Sequence, residues 1–339
     1  MTRKPISFVF TVIIVLGMLL GACTPDSQST PEPTTPPQAV DTVEPTAEPT
    51  AVPEPTEEPE PAPMVFTDGL GRTIELLEPA NAIVTLGPSI LESLFAIGAG
   101  DQVIGREEFS TYPEEALEVT SVGSLWGELP IEAILVLEPD LVIAPEIISQ
   151  EQVQALEDVG LVVFWQENPM DYWGLFANLA ELGTLTGHES EASVLISSLA
   201  IRIAKVMKVI ADADDSPLVF YELDATDPEN PYTAGPGTFI DTIIQMSGGT
   251  NVGGVLEGGY APLSSEEIIV ANPEIILLAD APYGITPEIV AERAGWDVIA
   301  AVQNDMVLPF DPFLVSVPGP RMVDGLEMMA AALHPELFE

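Results

Sequence analysis

The longest periodic segment of this 339-residue chain runs from His188 to Ala213. Apolar residues recur in it at intervals of three and four, a spacing that buries one face of an amphipathic helix. These residues are Ala192, Leu195, Ile196, Leu199, Ile203, Val206 and Ile210. A helix of this length would span about 38 Å, which is comparable to the diameter of a small domain. The segment therefore predicts a rigid helix long enough to join two domains.

Two similar segments lie on either side of this helix, Glu132 to Ala144 and Glu266 to Ala279. In each, a glutamate lies seven residues before a proline, and an acidic residue and an apolar run follow. Each pattern predicts a short helix, a turn and a buried parallel strand, because proline ends helices and such runs suit covered sheets. The symmetric placement predicts two similar α/β lobes, although repeated α/β units alone produce part of this likeness.

The first 22 residues are typical of an export signal. A basic pair, Arg3-Lys4, precedes an apolar run from Phe8 to Leu20, and small residues precede Cys23. The apolar run is shorter than the roughly 20 residues of a membrane span. Cys23 is the only cysteine, and its position resembles the bacterial lipobox, which implies a lipoprotein signal peptide over residues 1–22 and an acylated Cys23. The alternative is an ordinary secreted protein with a free thiol.

Residues 23–63 are predicted to be a disordered linker after the acylated cysteine. From Thr24 to Pro63 the chain holds 12 prolines, 9 acidic residues and no basic residue, so this segment cannot form a core. The remaining residues are enough for two α/β lobes. We predict an N-terminal lobe over residues 64–170, a helical region over 171–215 that contains the 188–213 helix, and a C-terminal lobe over 216–339.

The formal net charge of −45 excludes several kinds of partner. Nucleic acid binding depends on clustered lysine and arginine, and adhesion to anionic lipid depends on the same residues. Direct zinc or manganese binding is disfavoured, since the two histidines, His188 and His334, are far apart in sequence. A hydrolase is disfavoured because we interpret Ser89 as a helix cap that pairs with Glu92, and no Gly-x-Ser-x-Gly motif is present.

Several segments of both predicted lobes resemble the periplasmic binding proteins for cobalamin and ferric siderophores. The similar segments are Val84 to Asp101, Tyr112-Pro113, Glu132 to Ala144, Thr233 to Asp241, Gly248 to Asn251, the Glu266 segment and Pro318 to Arg321. The resemblance covers nearly all of Phe66 to Phe338. It implies an α/β fold of class III: two α/β lobes with parallel-rich sheets, joined by one long backbone helix. It also implies a protein without enzymatic activity or intrinsic cofactor, which delivers a metal chelate to the permease subunits of an ATP-binding-cassette importer.

The resemblance also implies roles for individual residues. Glu132 and Glu266 match the glutamates that dock into arginine-lined sites of the permease, and an exposed carboxylate suits a bidentate arginine contact. The ligand-binding residues implied by the family alignment and by position are Tyr112, Trp126, Tyr260 and Arg321. Aromatic faces suit a flat macrocycle because they offer a large contact area. Val317 stands where many relatives have arginine, which weakens the case for a strongly anionic ligand.

The sequence therefore predicts a lipid-anchored receptor at the outer face of the bacterial cytoplasmic membrane, monomeric when free, that catalyses nothing. A corrinoid such as cobalamin is the favoured ligand, and a ferric siderophore is next. Haem is a third candidate, with Tyr112 or Tyr260 as axial ligand and Arg321 near the propionates. An envelope hydrolase and a structural surface protein remain distant alternatives.

Overall fold

A computed structural model describes residues 62–338. The predicted export signal, Cys23 and nearly all of the predicted linker lie outside these residues. The strands of the described part are β1 Met64–Thr67, β2 Thr73–Leu76, β3 Ile83–Thr85, β4 Val103–Glu107, β5 Thr120–Gly123, β6 Leu141–Pro145, β7 Val163–Gln166, β8 Leu218–Glu222, β9 Tyr232–Ala234, β10 Thr250–Asn251, β11 Tyr260–Pro262, β12 Ile275–Leu278 and β13 Val307–Pro309. Its α-helices are α1 Pro88–Ala96, α2 Ile131–Val136, α3 Gln150–Glu157, α4 Tyr172–Thr186, α5 Glu189–Ile210, α6 Phe239–Met246, α7 Ser265–Ala271, α8 Pro287–Ala291, α9 Ala300–Gln303, α10 Phe313–Ser316 and α11 Met322–Leu333.

Each lobe is built on a parallel sheet. In the first lobe the strand order is β5-β4-β3-β6-β7, and in the second it is β10-β8-β12-β13. The central strands β3, β6, β8 and β12 are almost entirely buried, as expected for parallel strands covered on both faces. Short antiparallel pairs, β1-β2 and β9-β11, complete the two lobes. The predicted fold class, two α/β lobes with parallel-rich sheets, is confirmed.

Helix α5 is a continuous helix that connects the lobes. Its predicted apolar face is buried or half-buried, with Ala192, Leu199 and Val206 enclosed most deeply. This face packs between α4 and α11, so that one apolar cluster contains residues of both lobes. The helix ends at Ile210 rather than at Ala213. The acidic residues that follow Ala211 explain this earlier end, because negative charge is unfavourable at the carboxyl end of a helix.

The two matching segments form matching structures. Ile134 of α2 and Ile268 of α7 are both fully buried. Each helix is followed by a residue with positive φ, Glu138 at 49° and Asn272 at 53°. The acidic residue after each proline then accepts a backbone N–H at the start of a neighbouring strand: Asp140 from Asn81 at 2.8 Å, and Glu274 from Leu218 at 2.9 Å. The segments are therefore a structural repeat and not only a similarity of composition.

One prediction about local structure is wrong. Ser89 and Glu92 do not cap α1, which begins at Pro88 after an N-cap, Gly87, that makes no side-chain capping bond. Ser89 instead lines the space between the lobes. Glu92 bonds Arg321 of the other lobe, because the close approach of the two lobes places an arginine beside it.

Within residues 62–338, no helix is both long enough and apolar enough to cross a bilayer.

Candidate functional site

The main candidate site is a cleft between the lobes, where loops leave the carboxyl ends of the parallel strands. One cavity of about 730 Å³ has walls from both lobes. Phe109, Trp126 and Ile147 line it from the first lobe, and Tyr283 and Phe313 line it from the second. Polar, uncharged groups are interspersed with these apolar side chains, namely Ser89, Thr111, Gln152, Asn168 and Ser316. Such a mixture is typical of small-molecule sites, in which apolar walls carry a few orienting polar groups.

A second cavity of about 690 Å³ adjoins the first. The two share wall residues Asn168, Ser316 and Pro318, so they form one continuous cleft. Tyr260 and Met170 line this second part. Each cavity alone lies within the 300–1,000 Å³ range of small-molecule sites, and the pair offers room for a ligand larger than a typical drug.

The structure therefore assigns Trp126 and Tyr260 to different parts of one cleft. Trp126 lies in the loop after β5, and its backbone N–H donates to Ser124 Oγ at 3.1 Å. Tyr260 is the first residue of β11. Both rings are largely exposed to solvent. Both rings are therefore available for stacking against a ligand.

Tyr112 and Arg321 are brought together elsewhere. The guanidinium carbon of Arg321 lies 3.7 Å from the centroid of the Tyr112 ring, a cation–π contact. Arg321 Nε donates to Glu92 Oε2 at 2.7 Å, and its backbone N–H donates to Glu92 Oε1 at 2.8 Å. Tyr112 and Arg321 line a separate cavity of about 360 Å³ beside α1, while the neighbouring Thr111 lines the cleft. We call the Glu92–Arg321–Tyr112 group the interlobe strut, since Glu92 belongs to the first lobe and Arg321 to the second.

Sequence reasoning missed several cleft residues. Phe109, Ile147, Tyr283 and Phe313 are exposed apolar side chains of the cleft wall. Phe109 and Ile147 follow β4 and β6, while Tyr283 and Phe313 follow β12 and β13. The signal that could have found them was position, because residues just after parallel strands line the ligand crevice in open α/β sheets.

The cleft is electrically negative. Its charged lining residues are Glu107, Glu146 and Asp224. The arginines of residues 62–338 make bonds elsewhere: Arg72 with Asp68 and Glu157, Arg106 with backbone carbonyls, Arg202 with Asp324 and Glu327, Arg293 with Glu222, and Arg321 with Glu92. Lys205 and Lys208 lie on α5. This distribution favours a neutral or cationic ligand over a polyanion.

Glu132 and Glu266 occupy equivalent, exposed positions of the structural repeat. Each is the second residue of its helix, α2 or α7. The α7 helix is fixed by a capping box in which Ser264 and Glu267 bond each other's backbone N–H groups. A further bond fixes the first residue of α7, since Trp296 Nε1 donates to Ser265 Oγ at 2.5 Å. The two carboxylates thus project from short helices, one on each lobe.

A buried charged group supports the α7 side of the second lobe. Glu222 at the end of β8 accepts two bonds from Arg293, at 2.5 and 2.8 Å, and the Arg293 guanidinium lies 4.6 Å from the centre of the Trp296 ring. Asp280 lies beside this pair and accepts the Ala225 N–H at 3.0 Å. Burial, and next the Glu222 charge, raise the pKa of Asp280 to about 6.

Replacing Asp280 by asparagine should stabilise the protein above pH 6. The folded-state pKa exceeds the ordinary aspartate value, so the folded protein binds this proton more tightly, and the free energy of unfolding falls as pH rises from about 4 to 7. Asparagine keeps the acceptor for Ala225 and removes the charge. We expect Asp280→Asn to raise the free energy of unfolding by about 1–3 kcal/mol at pH 8 and by little at pH 4, measured by urea denaturation.

Asp224→Asn is the control for this prediction. Hydrogen bonds from Thr226 lower the pKa of Asp224, so its substitution should not stabilise the protein above pH 6. If the free energy of unfolding of Asp280→Asn depends on pH as it does in the unsubstituted protein, burial does not raise the pKa of this carboxyl.

Comparison with known proteins agrees with this architecture. The periplasmic binding protein family model matches residues 83–312. The ABC transporter substrate-binding lipoprotein YvrC of Bacillus subtilis is 29% identical over 283 residues, which are 82% of this chain and 87% of that protein. The cobalamin-binding protein of Halobacterium salinarum is 29% identical over 279 residues, which are 80% of this chain and 74% of that protein.

A solved structure shows the same fold. The periplasmic heme-binding protein RhuT from Roseiflexus sp. RS-1 is 24% identical and superposes with a TM-score of 0.68, covering 76% of this chain and 99% of that one. The predicted resemblance is therefore confirmed. The family model spans most of the chain and both lobes of the fold, and so the chain belongs to the periplasmic binding protein family, as a substrate-binding protein rather than an enzyme.

Proposed function

We propose that this protein captures a corrinoid in the interlobe cleft and delivers it to an ATP-binding-cassette importer. The observation that carries the choice of ligand is the character of the cleft: large, rich in aromatic side chains, and lined by carboxylates with no cation among the described lining residues. A corrinoid such as cobalamin is a bulky, flat macrocycle whose peripheral amides can bond Gln152, Asn168 and Ser316. The name of the Halobacterium relative, a cobalamin-binding protein, supports the same choice.

Trp126 and Tyr260 are the proposed stacking residues. They reach the cleft from different lobes, so a flat ligand can contact both. We assign Tyr112 and Arg321 to the interlobe strut instead, because the charge of Arg321 is already compensated by Glu92. Ligand capture thus depends on aromatic contact and uncharged hydrogen bonds, not on ion pairing.

A neutral or cationic ferric siderophore is the second candidate, and the acidic lining favours it over ferric citrate. Haem fits less well. Its propionates would face the carboxylates of Glu107, Glu146 and Asp224, and like charges repel.

The ligand is tested by titrating the purified protein with cyanocobalamin, haemin, ferric citrate and ferrioxamine B while tryptophan fluorescence is recorded. We expect cyanocobalamin to bind at least about tenfold more tightly than haemin or ferric citrate, a difference of about 1.4 kcal/mol. Tighter binding of ferrioxamine B would establish the second candidate. Tighter binding of haemin or ferric citrate would contradict the electrostatic reasoning.

Acylation of Cys23 is the proposed means of attachment to the outer face of the cytoplasmic membrane. The lipobox-like sequence supports it, and the relative YvrC is named a lipoprotein. A single lipid chain gives marginal membrane binding, so stable attachment requires the further acyl chains of a lipoprotein. Cys23 thus holds a protein that we propose to be monomeric when free within reach of its importer.

Docking is the proposed role of Glu132 and Glu266. We expect Glu132→Gln combined with Glu266→Gln to leave ligand affinity unchanged and to reduce uptake at least about tenfold, because a partner arginine would lose a charge-assisted bond at each lobe. The measurement is uptake of radiolabelled cyanocobalamin by cells that carry the variant as their only copy.

The matched control is Glu128→Gln combined with Glu257→Gln. These glutamates are also exposed, and they lie in loops outside α2 and α7. The control removes the same net charge, so reduced uptake in both double variants would indicate a general charge effect and not docking.

A further inference from the structure

Two valines stand out on the surface of the protein. Val270 is 85% exposed and Val136 is 81% exposed, the two highest values among the large hydrophobic side chains of residues 62–338. They occupy equivalent positions of the structural repeat, near the ends of α7 and α2. Single exposed apolar side chains are ordinary. That the two most exposed are related by the repeat is not explained by the packing of either lobe.

Each valine lies on the same helix face as a proposed docking residue. Val136 follows Glu132 by four positions, and Val270 follows Glu266 by four positions. Residues four apart are neighbours on a helix surface, one turn from each other. The opposite side of each helix is anchored in its lobe through Ile134 or Ile268, both fully buried. The valines therefore cannot turn inward, and each presents a methyl pair beside a carboxylate.

We infer that Val136 and Val270 are apolar anchors that pack against the permease subunits which bind Glu132 and Glu266. This inference rests on the proposed docking role. The occupant it requires is a protein with two equivalent sites, each with a basic group next to an apolar surface. A permease built from paired subunits meets that description, because the two faces belong to equivalent helices of the two lobes.

The glutamate and the valine of each helix contribute to docking in different ways. In a protein of net charge −45 the carboxylates attract and orient a basic partner, and each forms one charge-assisted bond on contact. Removal of the valine methyl groups from water adds affinity without dependence on charge. Loss of the valines should therefore release the complex even while both glutamates remain.

The test uses the full chain in its own cells, with the photo-crosslinking residue benzoylphenylalanine in place of Ala133, an exposed residue of α2. The amount of adduct with a permease subunit, identified by mass spectrometry, reports docking. We expect Val136→Ser combined with Val270→Ser to reduce this adduct about tenfold or more, since two buried apolar contacts are lost. Thermal unfolding of the purified variants establishes that they fold.

Val194→Ser combined with Val255→Ser is the matched control. These valines are 71% and 75% exposed, and they lie on α5 and in the Val252–Val255 turn. Their substitution should leave the adduct unchanged. An equal loss in the control would overturn the anchor role, because replacing any pair of exposed valines by serine would then have the same effect.

The remaining outcomes separate the two proposals. If Glu132→Gln with Glu266→Gln reduces the adduct and the Val136/Val270 double variant does not, the valines are not anchors and the docking role stands. If the unsubstituted chain forms no permease adduct, or an adduct only with some other protein, both proposals fail.

Discussion

Replacing Arg321 by methionine should lower the free energy of unfolding at pH 7 by about 3–5 kcal/mol, the cost of breaking a buried ion pair. The reason is the partner that remains. Glu92 is 2% exposed and accepts two bonds from Arg321, one from its side chain and one from its backbone N–H. Methionine preserves the aliphatic volume and leaves a buried carboxylate without its cation. Urea denaturation of the purified protein measures the loss.

The ion pair between Arg202 and α11 provides the comparison. Arg202 also links two distant elements, but its side chain is 34% exposed and its partners Asp324 and Glu327 are 45% and 39% exposed. Such a pair contributes about 1 kcal/mol or less, so Arg202→Met should be mild. Equal losses in Arg202→Met and Arg321→Met would show that the strut is not a buried interaction.

Two further readouts identify the cause of the Arg321→Met effect. Adding Glu92→Gln to the variant should restore most of the lost stability, since no buried charge then remains. The pH dependence should also change. Burial raises the pKa of Glu92 and Arg321 opposes that rise, so without Arg321 the carboxyl is protonated more readily. The variant should therefore be least impaired at about pH 4, where Glu92 is neutral, and most impaired above the raised folded-state pKa.

Trp126→Ala should weaken cyanocobalamin binding about 30-fold or more, because truncation of a central aromatic anchor costs about 2 kcal/mol or more. Trp126 stands on the cleft wall and is 78% exposed without a guest, so a stacked ligand would bury much of its ring. Isothermal titration calorimetry gives the dissociation constant.

Trp173 offers a close match for this experiment. It is also 78% exposed, but it lies on α4, where its ring contacts Phe176 edge-on. Trp173→Ala should bind cyanocobalamin as the unsubstituted protein does. If Trp126→Ala retains full affinity, the proposed stacking role is wrong and the ligand lies elsewhere in the cleft.

The overall architecture could be predicted from local patterns. The helix α5 was visible because seven apolar residues repeat every three or four positions, and that periodicity has one simple structural meaning. The repeat was visible because a glutamate, a proline and an acidic residue keep their spacing in both lobes. The structure adds that this spacing is functional for the fold: Asp140 and Glu274 both bind the backbone at the start of a neighbouring strand.

The interlobe contacts could not be predicted in the same way. Glu92 and Arg321 are 229 positions apart, and no sequence pattern near either residue predicts that the two are in contact. Glu92 instead had the spacing of a capping residue behind Ser89, and the tertiary contact overrode that local preference. Likewise, the exposure of Val136 and Val270 could not be predicted, since periodicity cannot tell which apolar residue of a short helix faces solvent.

The lobes are tied together at several points: by α5, by the strut, and by the Tyr172 hydroxyl, which donates to the Met322 carbonyl at 3.0 Å. We expect a guest to leave the distance between Glu132 and Glu266 almost unchanged, so an importer meets nearly the same outline on vacant and occupied receptors. Ligand-free copies of the protein then compete with ligand-bound copies for the docking site of the importer. Throughput at scarce nutrient would depend on the ratio of receptors to transporters as much as on affinity, and a cell that overproduces the receptor would slow its own supply.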